Sequence, residues 1–250
     1  MNESINYLSS WWRWWGNPLI NIHSTQRDMM PYAKAQLEDL DFLLFLEIRS
    51  ILSVADKPDR ALDEQIEIRS LALATAEEIS TLNMKAAVLS LDSSILQTNA
   101  HTWERIYGVK SADEARNIIQ LWNQIPYKLK SWQESLIINL NALQQETYNL
   151  QERAMLVLGA YLTSYYPDFF KRWSLTVPYR ITLLLKSIDL FPDDCKPAID
   201  NWLIPVISEL HKTVLLRFPA DTPELPEYEE DTQEIEALEQ LISLEDFDNA

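Results

Sequence analysis

Residues 127–166, YKLKSWQESLIINLNALQQETYNLQERAMLVLGAYLTSYY, determine the fold class of this chain. Apolar side chains recur there at steps of three or four residues, and ten such steps span 36 residues, which is the period of an α-helix. Polar side chains fill the positions between them, so the pattern predicts one long helix, or two helices stacked end to end, of about 60 Å. The apolar stripe comprises Leu129, Trp132, Leu136, Leu140, Leu143, Thr147, Leu150, Ala154, Val157, Tyr161 and Tyr165, and Thr147 interrupts its apolar character.

A helix of this length cannot bury its stripe alone, so other helices must cover it. The sequence therefore predicts an all-α fold, an irregular bundle of about seven to nine helices around a long central helix at 127–166. Strand signals are weak, and no repeat of fixed length is found. The other helices are predicted at about 31–54, 60–82, 84–97, 111–125, 179–190 and 195–218, with a turn-rich link at 101–108. Ser111 and Glu114 predict a capping box at the start of the helix at 111–125, and Asp193 or Asp194 an acidic cap on the last helix. Pro167 closes the long run, and Pro178 starts the helix at 179–190.

The use of glycine and cysteine excludes several classes of protein. The chain has 3 glycines in 250 residues, whereas average usage would give about 17. Glycine supplies hairpin turns and close backbone approach to phosphates, so its scarcity disfavours a β-sandwich, a dinucleotide-binding domain and a P-loop enzyme. The single cysteine, Cys195, excludes an internal disulfide framework and is typical of a reducing compartment, which predicts a cytoplasmic protein.

Charge is concentrated at the end of the chain. The net charge is −17, and residues 221–250 contain twelve acidic residues and no Lys or Arg. We predict three regions: a tryptophan-rich arm at 1–30, a helical bundle domain at 31–219, and a flexible acidic tail at 220–250 that is largely disordered.

The acidic tail contains a short apolar pattern that follows two prolines. Such a segment is typical of a docking peptide that folds when it binds a partner. Two alternatives stay open, a purely solubilising tail and a tail that folds back onto the basic residues Lys128, Lys130, Lys171, Arg172 and Arg180. The candidate partner-binding residues of the tail are Ile235, Leu238, Leu241, Ile242 and Phe247.

The N-terminal arm contains four tryptophans in five residues, Trp11, Trp12, Trp14 and Trp15. On a helix they cover most of the circumference, so one core cannot bury all of them. We expect Trp11 and Trp14 to stay partly exposed and to form an aromatic patch for a partner protein, because Trp is the strongest hot-spot residue. An interfacial membrane anchor is the alternative. The face expected to dock on the bundle consists of Ile5, Leu8, Trp12 and Trp15.

No residue set in the sequence specifies a reaction, so no catalytic, cofactor-binding or metal-binding residue is predicted. The Glu-x-x-His pairs of di-iron bundles and the His-Glu-x-x-His motif are both absent. His211 is expected to be a packed or surface histidine. Two acids, Asp41 and Asp92, stand among apolar neighbours and are the carboxylates to inspect.

We therefore predict a non-catalytic protein–protein interaction module: an adaptor, regulator, inhibitor or dedicated chaperone whose partner is a protein with a basic surface. A sequence pI of about 4.5 argues against direct nucleic-acid binding, and no apolar run is long enough to cross a membrane. One alternative is an enzyme or small-molecule carrier with an internal cleft lined by Trp132, Tyr161, Tyr165 and an acid such as Asp41. The other is an acidic inhibitor that imitates DNA.

Overall fold

The computed structural model describes residues 4–16, 21–29, 61–142, 148–188 and 191–218, together with the single position 50. All regular secondary structure in these ranges is helical, with no strand, which confirms the all-α prediction. The acidic tail and both predicted domain boundaries lie outside the described residues, as does the predicted helix at 31–54 apart from position 50. The α-helices are α1 (Ile5–Gly16), α2 (Ser24–Asp28), α3 (Ala61–Glu64), α4 (Ser70–Leu73), α5 (Ser80–Ala87), α6 (Ala100–Thr102), α7 (Ala112–Asn123), α8 (Tyr127–Ala142), α9 (Leu150–Tyr165), α10 (Pro167–Trp173), α11 (Tyr179–Leu185) and α12 (Lys196–Leu215).

The run at 127–166 forms two helices, α8 and α9. Of the two predicted forms, two separate helices are confirmed and one continuous helix is wrong. Asn149 has an extended backbone, and its side-chain oxygen accepts a hydrogen bond of 3.0 Å from the Glu152 backbone N–H. The Glu152 carboxylate accepts a bond of 3.1 Å from the Asn149 backbone N–H in return. This capping box satisfies two backbone donors and starts a new helix at Leu150.

Helix α9 is the centre of the described fold. It packs most extensively against α5 and also contacts α10 and α11. Its residues from Leu156 to Leu162 are buried on every side, as expected for a helix surrounded by other helices. Gly159 allows α11 to come close, because a Cβ atom at this position would lie 2.5 Å from Leu185 Cδ1.

The predicted docking face of α1 was wrong for Ile5 and Trp12, whereas Trp15 is buried and Leu8 packs partly against the core. Trp11 and Trp14 are 0% and 1% exposed, whereas Trp12 is 50% exposed and Ile5 is 72% exposed. The buried face places Tyr7, Trp11, Trp14 and Trp15 in the core. It therefore buries three indoles, where the predicted face would have buried two, and large aromatic side chains contribute most to the free energy of burial.

The Trp11 and Trp14 rings contact α10 directly. They stack with ring centroids 5.6 Å apart, and they lie 6.0 Å and 5.6 Å from the ring of Phe169. The Arg172 guanidinium lies 4.3 Å from the Trp14 ring centroid, and its Nε donates a hydrogen bond of 3.0 Å to the Trp14 carbonyl. Arg172 thus satisfies one of the last carbonyls of α1 and holds the helix on the bundle.

Several shorter elements differ from the predicted helices. The predicted helix at 60–82 is interrupted at Gln65 and at Ala74, and the predicted helix at 84–97 ends at Ala87 and continues as 3₁₀ turns. The predicted link at 101–108 contains α6 and one π-helical turn, and it ends at Gly108 in the left-handed conformation (φ 74°). The 3₁₀ turns are Ile66–Arg69, Val88–Ser90, Ser93–Gln97, Ser174–Thr176 and Asp193–Cys195.

Of the predicted helix caps, the one at Ser111 is confirmed and the one at Asp193 or Asp194 is wrong. Ser111 caps α7 as predicted, since its hydroxyl accepts a bond of 3.1 Å from the Glu114 backbone N–H. Glu114 in turn accepts from the backbone N–H of Lys110 at 3.4 Å, one residue before the position expected of a capping box. Asp193 and Asp194 do not cap α12: they lie in a 3₁₀ turn that runs into the helix, and no side chain among the described residues caps the helix start.

The close approach of α9 and α11 predicts the effect of one substitution. Gly159→Ala should lower the free energy of unfolding by about 1–3 kcal/mol, because the added methyl overlaps the buried Leu185 side chain. Gly16→Ala is the matched control, since a methyl group there would meet no atom of the described residues within 4 Å. Urea denaturation measures both variants, and equal midpoints for the two would contradict this packing.

Candidate functional site

The exposed side of α1 is the first candidate surface. Ile5, Leu8 and Trp12 recur at steps of three and four residues and are called here the α1 ridge. Ile5 and Trp12 lie on the solvent side of the helix, and Leu8 between them packs partly against the core. Leu8 is half-buried, whereas most of Ile5 and half of Trp12 are exposed. The buried tryptophans on the opposite side hold this ridge in place.

The structure corrects the predicted partner-binding residues on this helix. Trp11 and Trp14 are buried against Phe169, so the prediction that they are partly exposed was wrong. Trp12, which was assigned to the docking face, is the exposed member of the cluster. No local signal indicates this choice, because Phe169 and Arg172, which cover Trp11 and Trp14, lie more than 150 residues away in the sequence. The tail candidates Ile235, Leu238, Leu241, Ile242 and Phe247 lie outside the described residues.

The basic residues proposed to receive the tail do not share one environment. Arg172 is buried beneath Trp14. Lys171 pairs with Asp168 at 2.8 Å, and Arg180 pairs with Glu152. Lys130 lies elsewhere, in a cleft beside α8.

The cleft predicted from the aromatic residues is not formed by them. Trp132 is buried and stacks on Phe191, with ring centroids 3.7 Å apart. Tyr161 is fully buried, and its hydroxyl donates a bond of 2.8 Å to the Asp200 carboxylate, while burial raises its pKa. Tyr165 donates to the Pro192 carbonyl at 2.9 Å. These side chains pack α8 and α9 against residues 191–200, which lead into and begin α12. Asp41 lies outside the described residues.

A cleft does exist at a different place, between α7, α8 and the segment Leu91–Ser93. Its volume is about 550 Å³. Trp122 Nε1 and Gln133 Nε2 both donate to the Leu91 carbonyl, at 2.9 Å and 2.7 Å, and this shared acceptor fixes the base of the cleft. The lining residues are Leu91, Asp92, Ser93, Trp122, Lys130, Gln133, Glu134 and Ile137.

Asp92, one of the two acids with apolar neighbours in the sequence, has a structural role and also borders this cleft. Its Oδ1 accepts from the Ser94 backbone N–H at 2.8 Å and from the Ser94 hydroxyl, and so caps the 3₁₀ turn Ser93–Gln97. Its other oxygen takes part in neither of these bonds. The position of Asp92 at the edge of the cleft could not be deduced from the local sequence, because α7 and α8 supply the other side.

A buried polar network joins α1, α4 and α12. The Ser70 hydroxyl lies 2.7 Å from His211 Nδ1 and 3.3 Å from the Tyr7 hydroxyl, and the Tyr7 and His211 rings meet edge to face. Ser70 is completely buried, so a substrate has no access to its hydroxyl and the network is structural. Burial lowers the pKa of His211, and nearby Glu67 opposes part of this shift.

Cys195 is a buried free thiol at the start of α12. Its Sγ donates to the Lys128 carbonyl at 3.6 Å. Burial and the neighbouring Asp194 raise the pKa of the thiol, which favours the neutral form over the nucleophilic thiolate.

Comparisons with known protein families, with curated proteins and with solved structures found no match to this chain. Within the described ranges, no helix has the length and apolar character needed to cross a membrane. In the same part of the chain, no group of three or more His, Cys, Asp or Glu side chains is placed to hold a metal ion.

The buried histidine predicts a specific dependence of stability on pH. His211 in the folded protein has a pKa below the value of about 6.5 that it has in the unfolded chain. Unfolding therefore takes up a proton as the pH falls below about 6.5, and the free energy of unfolding should drop by at most about 1.4 kcal/mol per pH unit from this group.

Urea denaturation between pH 7.5 and pH 5 should show a shallower pH dependence for His211→Gln than for the original protein. His101→Gln, a change at an exposed position, should keep the original slope. A His211→Gln variant with an unchanged slope would contradict the assignment of a neutral, buried His211.

Proposed function

We propose that this protein is a non-catalytic protein–protein interaction module, an adaptor, regulator, inhibitor or dedicated chaperone acting in the cytoplasm. Its partner is a protein with a basic surface. The α1 ridge and the acidic tail at 220–250 are its two contact segments. The observation that carries the proposal is the exposure of Trp12 and Ile5 on a helix whose opposite face is anchored in the core.

The α1 ridge has the physical properties of an interface hot spot. Trp is the residue most enriched at hot spots, where it combines a large apolar area with a polar N–H group. The helix is already ordered by the burial of Trp11 and Trp14. A partner that binds it therefore bears little of the entropic cost of fixing the contact surface, which raises affinity for a given buried area.

The acidic tail is the reason for proposing a partner with a basic surface. Twelve acidic residues without a single Lys or Arg favour a partner surface of opposite sign, and such complementarity mainly raises the association rate and selects among partners. The ridge and the tail are connected in one chain, so binding of one raises the effective concentration of the other.

The ridge is tested by point substitution rather than by deletion, because removal of α1 would also remove the buried tryptophans. A tagged full-length chain is crosslinked in cytosol, and the captured partner is identified, purified and titrated against the variants. Trp12→Ala should weaken binding by about 30-fold, the effect of losing about 2 kcal/mol at a hot spot. Tyr127→Ala, at an aromatic side chain that is 88% exposed, is the matched control and should change nothing.

The same titration separates the two contact segments. Truncation at residue 219 should slow association, and this loss should shrink as salt rises, since exposed charges are screened. A purified partner whose affinity is unchanged both by Trp12→Ala and by truncation of the tail would contradict the proposed function.

A further inference from the structure

The cleft beside α8 is a separate site with its own chemistry. Its volume of about 550 Å³ is within the range of small-molecule sites, about 300–1,000 Å³. Its apolar lining consists of Leu91, Trp122 and Ile137, one from each of the three segments around the cleft. The two hydrogen bonds to the Leu91 carbonyl connect this segment to α7 and α8 at the cleft.

Both signs of charge line the same cleft. Lys130 and Glu134 are one helical turn apart on α8, and Asp92 lies on the opposite side. Residues at this spacing have Cβ atoms about 5–6 Å apart and commonly form an ion pair. Here neither Lys130 nor Glu134, nor Asp92, makes an ion pair within the described ranges. An ammonium and two carboxylates therefore line one cleft without an ion-pair partner among the described residues, Lys130 and Glu134 at exposed positions and Asp92 at a half-buried one.

Asp92 also interacts with a cation outside the cleft, the Arg153 guanidinium. Arg153 is close enough to influence it electrostatically, but its Nε and Nη1 donate to the carbonyls of Tyr148 and Ser90, each at 3.0 Å, and its guanidinium lies over the Tyr107 ring. Arg153 does not line the cleft. The carboxylate best placed to bind a cationic ligand is therefore that of Glu134, with Asp92 in support.

We propose that this cleft binds a small zwitterion with an apolar group, specifically a free α-amino acid with a large aliphatic or aromatic side chain. The apolar side chain packs on Leu91, Trp122 and Ile137. The ligand carboxylate pairs with Lys130, and the ligand ammonium pairs with Glu134 and Asp92. This occupant uses the apolar lining and both signs of charge.

Ligands with one sign of charge fit less well. The chain's own tail carries acidic residues without basic ones, so Asp92 and Glu134 would repel it. A free organic cation, or the N-terminus of a peptide, would leave Lys130 without a partner and would place a second cation beside it. The proposal is independent of the α1 ridge, because the two surfaces share no residue.

The test is a set of titrations of the ¹⁵N-labelled full-length protein followed by NMR, with the Trp122 indole N–H signal as the reporter, assigned by Trp122→Phe. The probes are L-leucine, L-leucinamide, which lacks the carboxylate, and 4-methylpentanoate, which lacks the ammonium. L-Leucine should bind saturably, and each analogue should bind about tenfold or more weakly, the usual cost of losing one hydrogen-bonded charge.

Two variants should each remove one of the two preferences for leucine. Lys130→Gln should abolish the preference for leucine over leucinamide and leave the preference over 4-methylpentanoate. Glu134→Gln should do the reverse. Lys128→Gln is the matched control, because Lys128 is an exposed lysine of the same helix that does not line the cleft, and it should retain both preferences.

The proposal is overturned by any of three results: no saturable shift with L-leucine, equal binding of leucinamide and leucine, or unchanged selectivity in both α8 variants. Equal binding of leucinamide would assign the site to peptide N-termini or organic cations instead. Trp12→Ala should leave leucine binding intact, so a failure here is distinguishable from a failure of the proposed partner contact.

Discussion

The contacts of Trp14 with the Trp11 ring and with the Arg172 guanidinium determine how the N-terminal helix sits on the bundle. Arg172 is only 2% exposed, and this burial lowers the pKa of its guanidinium to about 9. The aromatic face of Trp14 and its backbone carbonyl offset part of that desolvation cost. Because these contacts occupy the side of α1 that contains Trp11 and Trp14, Ile5 and Trp12 must face outward.

The position of Arg172 depends in turn on the central helix. Pro167 starts α10 directly after α9 ends, so the packing of α9 also places Phe169 and Arg172. The helix α9 is itself fixed by α5 and by the close approach of Leu185 to Gly159. A change at this contact should therefore reach the tryptophan cluster through α10, although the two places are distant in the sequence.

Local sequence patterns predicted the all-α class and several helix ends. The exposed face of α1 and the cleft beside α8 could not be predicted in this way, because contacts between residues distant in the sequence form them. The apolar period, the Ser111 cap and the prolines at the starts of α10 and α11 are short-range signals, and the structure agrees with them. The break at Asn149 was also visible as an Asn-x-x-Glu pattern, but the apolar stripe continues through it in phase and concealed it. Contacts with Phe169 and Arg172 determine which face of α1 is buried. At the cleft beside α8, Trp122 and Gln133 donate to the carbonyl of Leu91, which lies 31 and 42 residues before them in the sequence. The one local signal for the cleft was the spacing of Lys130, Glu134 and Ile137 on a single helical face.

The orientation of α1 underlies the assignment of its exposed ridge, and it can be measured through the solvent access of the four tryptophans. In protein labelled with 5-fluorotryptophan, ¹⁹F NMR signals can be assigned by single Trp→Phe substitutions, and a soluble gadolinium complex then broadens those that face water. We expect strong broadening of Trp12 and protection of Trp11, Trp14 and Trp15. Broadening of Trp11 or Trp14 to the level of Trp12 would contradict this orientation.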